Sequence, residues 1–175
     1  MNRNELAASI YRASHLTGEF VLRSGATSTE YFDKYQFESR PALLRQIATM
    51  LAPMVPPGTQ ALGGLELGGV PVASLLSQVT GLPTAFVRKK AKAYGTCRLA
   101  EGAEIAGRSV AVVEDVVSSG GQIIESVGEL RARGAIITHA LCVIDRESGG
   151  DARLRDSGIT LVPLFRASEL ESAAA

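Results

Sequence analysis

The apolar positions along the chain change rhythm twice. Between Arg3 and Arg12, Leu6, Ala7, Ile10 and Tyr11 recur at helical spacing, which predicts a short amphipathic helix. Gly18 to Phe37 is instead rich in β-branched and aromatic residues (Phe20, Val21, Thr27, Thr29, Tyr31, Phe32), and Ser24-Gly25 cuts it, the pattern of two short strands about a turn. Helical spacing returns from Pro41, whose fixed φ suits a first helical position, through Leu43, Leu44, Ile47, Met50 and Leu51, and stops before Pro53.

From Thr59 onward short apolar runs alternate with helical stretches. Strands are expected at 60–64, 84–87, 109–113, 136–144 and 159–164. Helices are expected at 70–79 and at 121–133, the latter closed by Gly134, with a short one near 151–156. That alternation is the sequence form of an α/β fold, a central mainly parallel sheet flanked by helices. The amino-terminal helix and strand pair, about residues 1–40, lack this rhythm and read as an appendage to an α/β core over 41–175, the whole making one domain. Phe20, Phe86 and Phe165 are expected in the core. The connection from Lys89 to Gly107, rich in Lys, Gly and small residues, has the length at which loops in compact domains are functional.

Composition narrows the classes. The chain has 175 residues, 46% of them hydrophobic, enough for one buried core. Eighteen Lys and Arg offset eighteen Asp and Glu, so no long-range field draws the protein to nucleic acid, and any anion must be met by a local cluster. No stretch nears the roughly eighteen apolar residues of a membrane span, and MNRNELAASI lacks the features of a secretory leader, so a cytoplasmic protein without a membrane partner is expected. Cys97 and Cys142 belong to no CxxC pair and have no His at metal-ligand spacing, which makes them ordinary thiols.

The run Val112-Val113-Glu114-Asp115-Val116-Val117-Ser118-Ser119-Gly120-Gly121 carries the chemistry. Glu114 and Asp115 fall at the carboxyl end of an apolar strand, where open α/β sheets place their ligands. Ionised carboxylates only accept hydrogen bonds, so an adjacent pair suits a vicinal diol. Ser118 to Gly121 then opens a helix, and free N–H groups with the helix dipole make such a turn a phosphate site. Singly, these residues read as solvated charges and a helix cap. In this order they ask for a ribose 5-phosphate. Gly63 to Val70 has P-loop-like glycine spacing but lacks the Lys and Ser/Thr of a P-loop, and no GxGxxG is present. His15 and His139 adjoin no nucleophile signature, and Ser118 and Ser119 lie in no GxSxG elbow.

This run resembles the signature of the type I phosphoribosyltransferases, and three further stretches resemble the orotate enzymes among them, together spanning most of Gly18 to Arg146. They are Gly18 to Gly25 with Ser28 and Tyr31-Phe32, then Arg88 to Gly95 with Glu101-Gly102, and finally Val143 to Arg146. The resemblance implies the type I phosphoribosyltransferase fold with a small N-terminal hood. It implies transfer of the phosphoribosyl group from 5-phosphoribosyl 1-pyrophosphate (PRPP) to orotate, giving orotidine 5-monophosphate and pyrophosphate in pyrimidine biosynthesis. By the same resemblance Lys92 and Asp115 are catalytic, and Arg88, Lys89, Lys92, Tyr94, Glu114, Asp115, Val116, Val117, Ser118, Ser119, Gly120 and Gly121 bind PRPP. Arg23, Tyr31, Phe32, Ser118 and Arg146 would hold orotate. Mg2+ would be held by PRPP and water rather than by side chains, and the basic loop would close over the neighbouring subunit of a homodimer.

Three positions depart from the pattern. Arg23 stands where the family usually has Lys, Thr29 where it commonly has Pro, and Gly68 where some members have Lys, leaving backbone N–H groups to serve alone there. Two rivals share Glu114 to Gly121: a phosphoribosyltransferase for another base, which need not use Arg146 or Tyr31-Phe32, and a non-catalytic PRPP-binding regulator. The full basic loop Arg88 to Lys92, the neutral charge and the absence of a basic helix speak against the regulator.

Overall fold

The computed structural model of the chain describes residues 1–21, 25, 27–91 and 99–175. Helix α1 (Arg3–Ser14) starts at a capping box, in which Asn2 Oδ1 accepts from Glu5 N and Glu5 Oε2 accepts from Asn2 N, both at 2.9 Å. Strands β1 (His15–Val21) and β2 (Thr27–Phe32) pair antiparallel, with a register shift between Thr17 and Phe20. A short helix α2 (Tyr35–Glu38) follows, then α3 (Pro41–Leu51) and a 3-10 turn at Ala52–Met54.

The remainder alternates. Strand β3 (Ala61–Leu65) leads to α4 (Gly69–Thr80), β4 (Thr84–Val87), β5 (Ala100–Gly102), β6 (Val110–Val117) and α5 (Gly121–Ala132). Strand β7 (His139–Asp145), α6 (Gly150–Asp156), β8 (Thr160–Arg166) and α7 (Ala167–Ala174) complete the chain. Six strands form one sheet in the order β5-β4-β3-β6-β7-β8, parallel except for β5. The expected α/β class is what forms. From β3 the chain moves outward to β4, and from β6 it moves the other way to β7 and β8. The reversal lies between β3 and β6, and open α/β sheets bind ligands at the carboxyl ends of such strands.

Alternation along the central strands divides the core. Ala111, Val113, Leu141 and Val143 face a cluster built with Leu6 and Ile10 of α1, Ile47 and Leu51 of α3, Val72 and Leu76 of α4, and Leu170 of α7. Val110, Val112, Ala140 and Cys142 face the other, with Ile123, Val127 and Leu130 of α5 and Leu154 of α6. Helix α1 thus shares a core with the sheet, whereas strands β1 and β2 contain no buried residue. Burial pushes the Cys142 thiol well above its usual range, so it is an inert core group. No helix among the described residues is long and apolar enough to cross a membrane.

Four expectations need correction. Strand β6 does not end at Val113 but runs on to Val117, because β7 supplies ladder partners for Glu114, Val116 and Val117 in Cys142, Ile144 and Asp145. The 89–107 connection contains β5, an antiparallel edge strand on β4. Phe86 and Phe20 are not core: strand alternation turns Ala85 and Val87 inward and leaves Phe86 41% exposed, and Phe20 is only half-buried in β1, outside both core clusters. Helix α7 was not expected: its sequence, ASELESAA, offers one large apolar residue, Leu170, which docks into the core.

Candidate active site

Extending β6 changes the setting of its carboxylates. Glu114 is 7% exposed and Asp115 is fully buried, so neither is an ordinary solvated strand-end charge. Glu114 Oε1 accepts from Asp115 N at 3.1 Å, and Asp115 Oδ1 accepts from Val116 N at 2.6 Å. Burial, then the neighbouring Asp115 charge, push the Glu114 carboxyl up to about 8. Burial pushes Asp115 the same way, but hydrogen bonding with Glu38, Glu114 and Lys34 and the Lys34 charge outweigh it and hold Asp115 below the usual carboxylate range.

Two residues of this cluster escaped the sequence reading. Lys34 Nζ lies 2.6 Å from Asp115 Oδ2, and Glu38 is buried beside the same carboxylate. Burial lowers Lys34, but the bond and charge of Asp115 win and raise it above its ordinary value. Helix α2 places both, anchored by the fully buried Phe37 between them. The available signal was the opposite-charge pair Lys34 and Glu38 at i,i+4 in DKYQFE.

The loop joining β3 to α4 closes over them. A methyl placed on Gly68 would lie 1.6 Å from Asp115 Oδ2 and 2.3 Å from its Cγ, so only glycine permits this approach. Gly68 brings no cation to the site, and the positive charge beside Asp115 comes from Lys34, at the start of α2. Glu66 ties the loop to its neighbours: its Oε1 accepts from Lys89 N at 2.7 Å and its carbonyl from Gln122 Nε2 of α5 at 2.9 Å. Arg88, half-buried, and Lys89, exposed, therefore stand at the carboxyl end of β4 beside this loop.

Strand β6 passes directly into Val116 to Gly121. Gly120 adopts φ 71°, a left-handed conformation, with Leu154 of α6 against its α-carbon side, and no side chain caps α5. The first N–H groups of α5 have no intrahelical acceptor, and the exposed Ser118 and Ser119 flank them. Arg153 Nη1 donates to the Ser119 carbonyl at 3.1 Å, fixing the turn from α6. A tetrahedral anion is the ligand this arrangement suits.

A separate cavity of about 430 Å³ opens between the hairpin, the end of β7 and α7. Tyr31, Phe32 and Arg146 share its wall, together with Ser28, Tyr11 and His15. The Arg146 guanidinium carbon stands 5.9 Å from the Phe32 ring centroid, and Tyr31 stacks on Phe20 at 5.4 Å. Ion pairing does not divert Arg146 to its neighbours. Asp145 Oδ1 accepts from Glu147 N at 2.9 Å, and Glu147 Oε2 from Ser168 N at 3.0 Å. Of the residues expected to hold orotate, Ser118 is not in this wall, and Arg23 lies outside the described residues, as do Lys92 and Tyr94.

For a metal, the donor set is lean. Among the described residues no group of three His, Cys, Asp or Glu could hold an ion, and Asp115 is already engaged by Lys34. A magnesium ion brought in with a pyrophosphate would keep phosphate oxygens and water as ligands, as this hard, reluctantly dehydrated cation prefers.

Comparison with known proteins identifies the family. Residues 39–157 match the phosphoribosyl transferase domain family. An orotate phosphoribosyltransferase of a Nocardioides species is 49% identical over 168 residues, 96% of this chain and 94% of its own. Among solved structures, Mycobacterium tuberculosis orotate phosphoribosyltransferase in complex with Fe(III) dicitrate superposes with TM-score 0.88 at 29% identity, covering 96% of this chain and 98% of that one. The same organism's enzyme in complex with PRPP superposes with TM-score 0.83 at 25% identity, covering 97% and 98%.

Proposed function

Since the chain belongs to the phosphoribosyltransferase family, and within it to the orotate phosphoribosyltransferases, we propose a division of labour among its residues for the family's reaction. The enzyme transfers the phosphoribosyl group of PRPP to orotate, giving orotidine 5-monophosphate and pyrophosphate in pyrimidine biosynthesis. The observation that carries the assignment of roles is the continuity of β6 with the turn into α5, which sets a carboxylate pair beside an anion-binding turn. Glu114 and Asp115 take the ribose hydroxyls, and Val116 to Gly121 with the α5 N-terminus take the 5-phosphate. Tyr31, Phe32 and Arg146 receive orotate in the hairpin cavity, its carboxylate against the guanidinium fork, and the family resemblance adds Arg23 as a further contact.

Breaking the bond from the anomeric carbon to pyrophosphate builds positive charge on the sugar and negative charge on the leaving group. Asp115, held ionised, stabilises the first. Lys92, with Arg88, Lys89 and Tyr94, stabilises the second. Magnesium bound to PRPP supplies further neutralisation of the pyrophosphate. No side chain is assigned as its ligand. The basic loop completes the site of the other subunit in a homodimer, excluding the water that would otherwise compete for the same carbon.

Lys92→Ala should lower kcat by about 10²- to 10³-fold, the scale for a group that meets charge developing in the transition state, with the melting temperature unchanged. Mixing inactive Lys92→Ala with inactive Asp115→Asn should regain turnover, because a mixed dimer with a shared loop holds one intact site. Steady-state assays decide both points. An undiminished rate removes Lys92 from the mechanism, and failure of the mixture to recover removes the shared loop.

A further inference from the structure

Glu38 lies outside every stretch that points to a sugar phosphate, yet it is 8% exposed and packed against the carboxylate central to that site. Its Oε1 and Asp115 Oδ2 lie 2.9 and 1.6 Å from one and the same point above Gly68, so the two oxygens are neighbours. Apart from the Lys34 ion pair on Asp115, neither oxygen has a partner among the described residues. Two bare carboxylates buried side by side repel strongly, whereas one proton between them turns the contact into a hydrogen bond.

The surrounding charges say which oxygen carries it. Lys34 approaches from α2, and Glu114 neighbours the pair from β6, while Gly68 contributes no side chain. Lys34 sits on Asp115, so Asp115 remains ionised and Glu38 keeps the proton. In agreement, burial first and the bond with Asp115 next push Glu38 up to about 9, while Asp115 is held low.

We propose that Glu38 is a positioning residue for Asp115: its protonated carboxyl donates to Asp115 and fixes that carboxylate as an ionised acceptor for the ribose hydroxyls. Lys34, 34% exposed, is the part of the cover that reaches solvent, and it gives way when the sugar arrives. Glu38, still buried, then satisfies the Asp115 oxygen that would otherwise be left alone. This role rests on the reading of Asp115 as a PRPP ligand.

The test is calorimetric titration of magnesium-PRPP into the wild-type protein, Glu38→Ala and Glu38→Gln. Alanine should weaken binding about tenfold, the cost of a lost bond to a charged acceptor, and glutamine, whose amide still donates, should recover to within about threefold at pH 7. As pH rises through about 9, wild-type affinity should fall, because Glu38 then becomes a second carboxylate against Asp115. Glutamine cannot ionise, so its variant should lack that part of the decline and keep only the part due to Glu114. Wild-type affinity in Glu38→Ala, or the full wild-type decline in Glu38→Gln, overturns the proposal. If the alanine variant melts early, the glutamine pH profile decides alone. Carbon-13 NMR of the Glu38 carboxyl in the substrate-free protein separates this role from the functional reading. Ionisation of Glu38 at pH 7 overturns the positioning role whatever the protein binds, and a protonated Glu38 in a wild-type protein that ignores PRPP overturns both Asp115 as a PRPP ligand and the role built on it.

Discussion

Gly68→Ala should cost most of the activity for the addition of a single methyl. The methyl has no room: it would meet Asp115 Oδ2 at 1.6 Å and Glu38 Oε1 at 2.9 Å, and both belong to buried side chains that cannot swing into solvent. Either the loop from Glu66 to Gly69 lifts away or the Asp115 carboxyl turns. Lifting the loop breaks the bonds from Lys89 N and Gln122 Nε2 to Glu66, and turning the carboxyl breaks the Lys34 pair. Each moves reacting groups by about 1 Å, a displacement that costs roughly 10²-fold in rate, and overpacking of this kind lowers stability by about 1–3 kcal/mol. Steady-state kinetics and a thermal melt measure the two effects. A variant with parental kcat/KM would mean that the loop has slack that this packing denies.

Asp115→Asn should be as damaging through charge rather than space. The carboxamide fits the same volume and keeps one acceptor oxygen, but it no longer balances Lys34 and no longer stabilises positive charge on the sugar. Lys34, partly exposed, can turn to water, so folding survives. Glu38 keeps the burial that chiefly raises it but loses the second cause, the bond and charge of Asp115, and so titrates closer to its ordinary range. We expect kcat/KM for PRPP to fall by about 10²- to 10³-fold, or roughly 3–4 kcal/mol of transition-state stabilisation. Unchanged binding and unchanged rate would remove Asp115 from the site.

What the residues disclosed in advance follows from how local each signal is. The alternation after Thr59, the Pro41 start and the Gly134 close are local, and the structure has the corresponding elements within a few residues. The run from Val112 to Gly121 is also local, because one strand and one turn carry both halves of a sugar-phosphate site. Tyr31, Phe32 and Arg146 come only through resemblance, since 113 residues of chain separate Phe32 from Arg146 and nothing in periodicity joins them; the shared cavity brings them together. Lys34 and Glu38 were illegible for another reason. A four-residue helix has too little periodicity to register, and its meaning depends on a glycine some thirty positions later leaving space over Asp115. Charged residues read as strand ends, so the sequence pattern stops β6 at Val113, whereas pairing with β7 carries Glu114 to Val117 into the sheet.

The most direct test of the whole account is product formation from PRPP and magnesium with orotate, uracil, adenine, guanine and hypoxanthine offered separately. The hairpin cavity presents one guanidinium fork, so the base should need a carboxylate to be held, and orotidine 5-monophosphate should form while the four bases without one leave PRPP unconsumed. Turnover of a purine or uracil in place of orotate would contradict the account, and so would binding of PRPP with no product from any base.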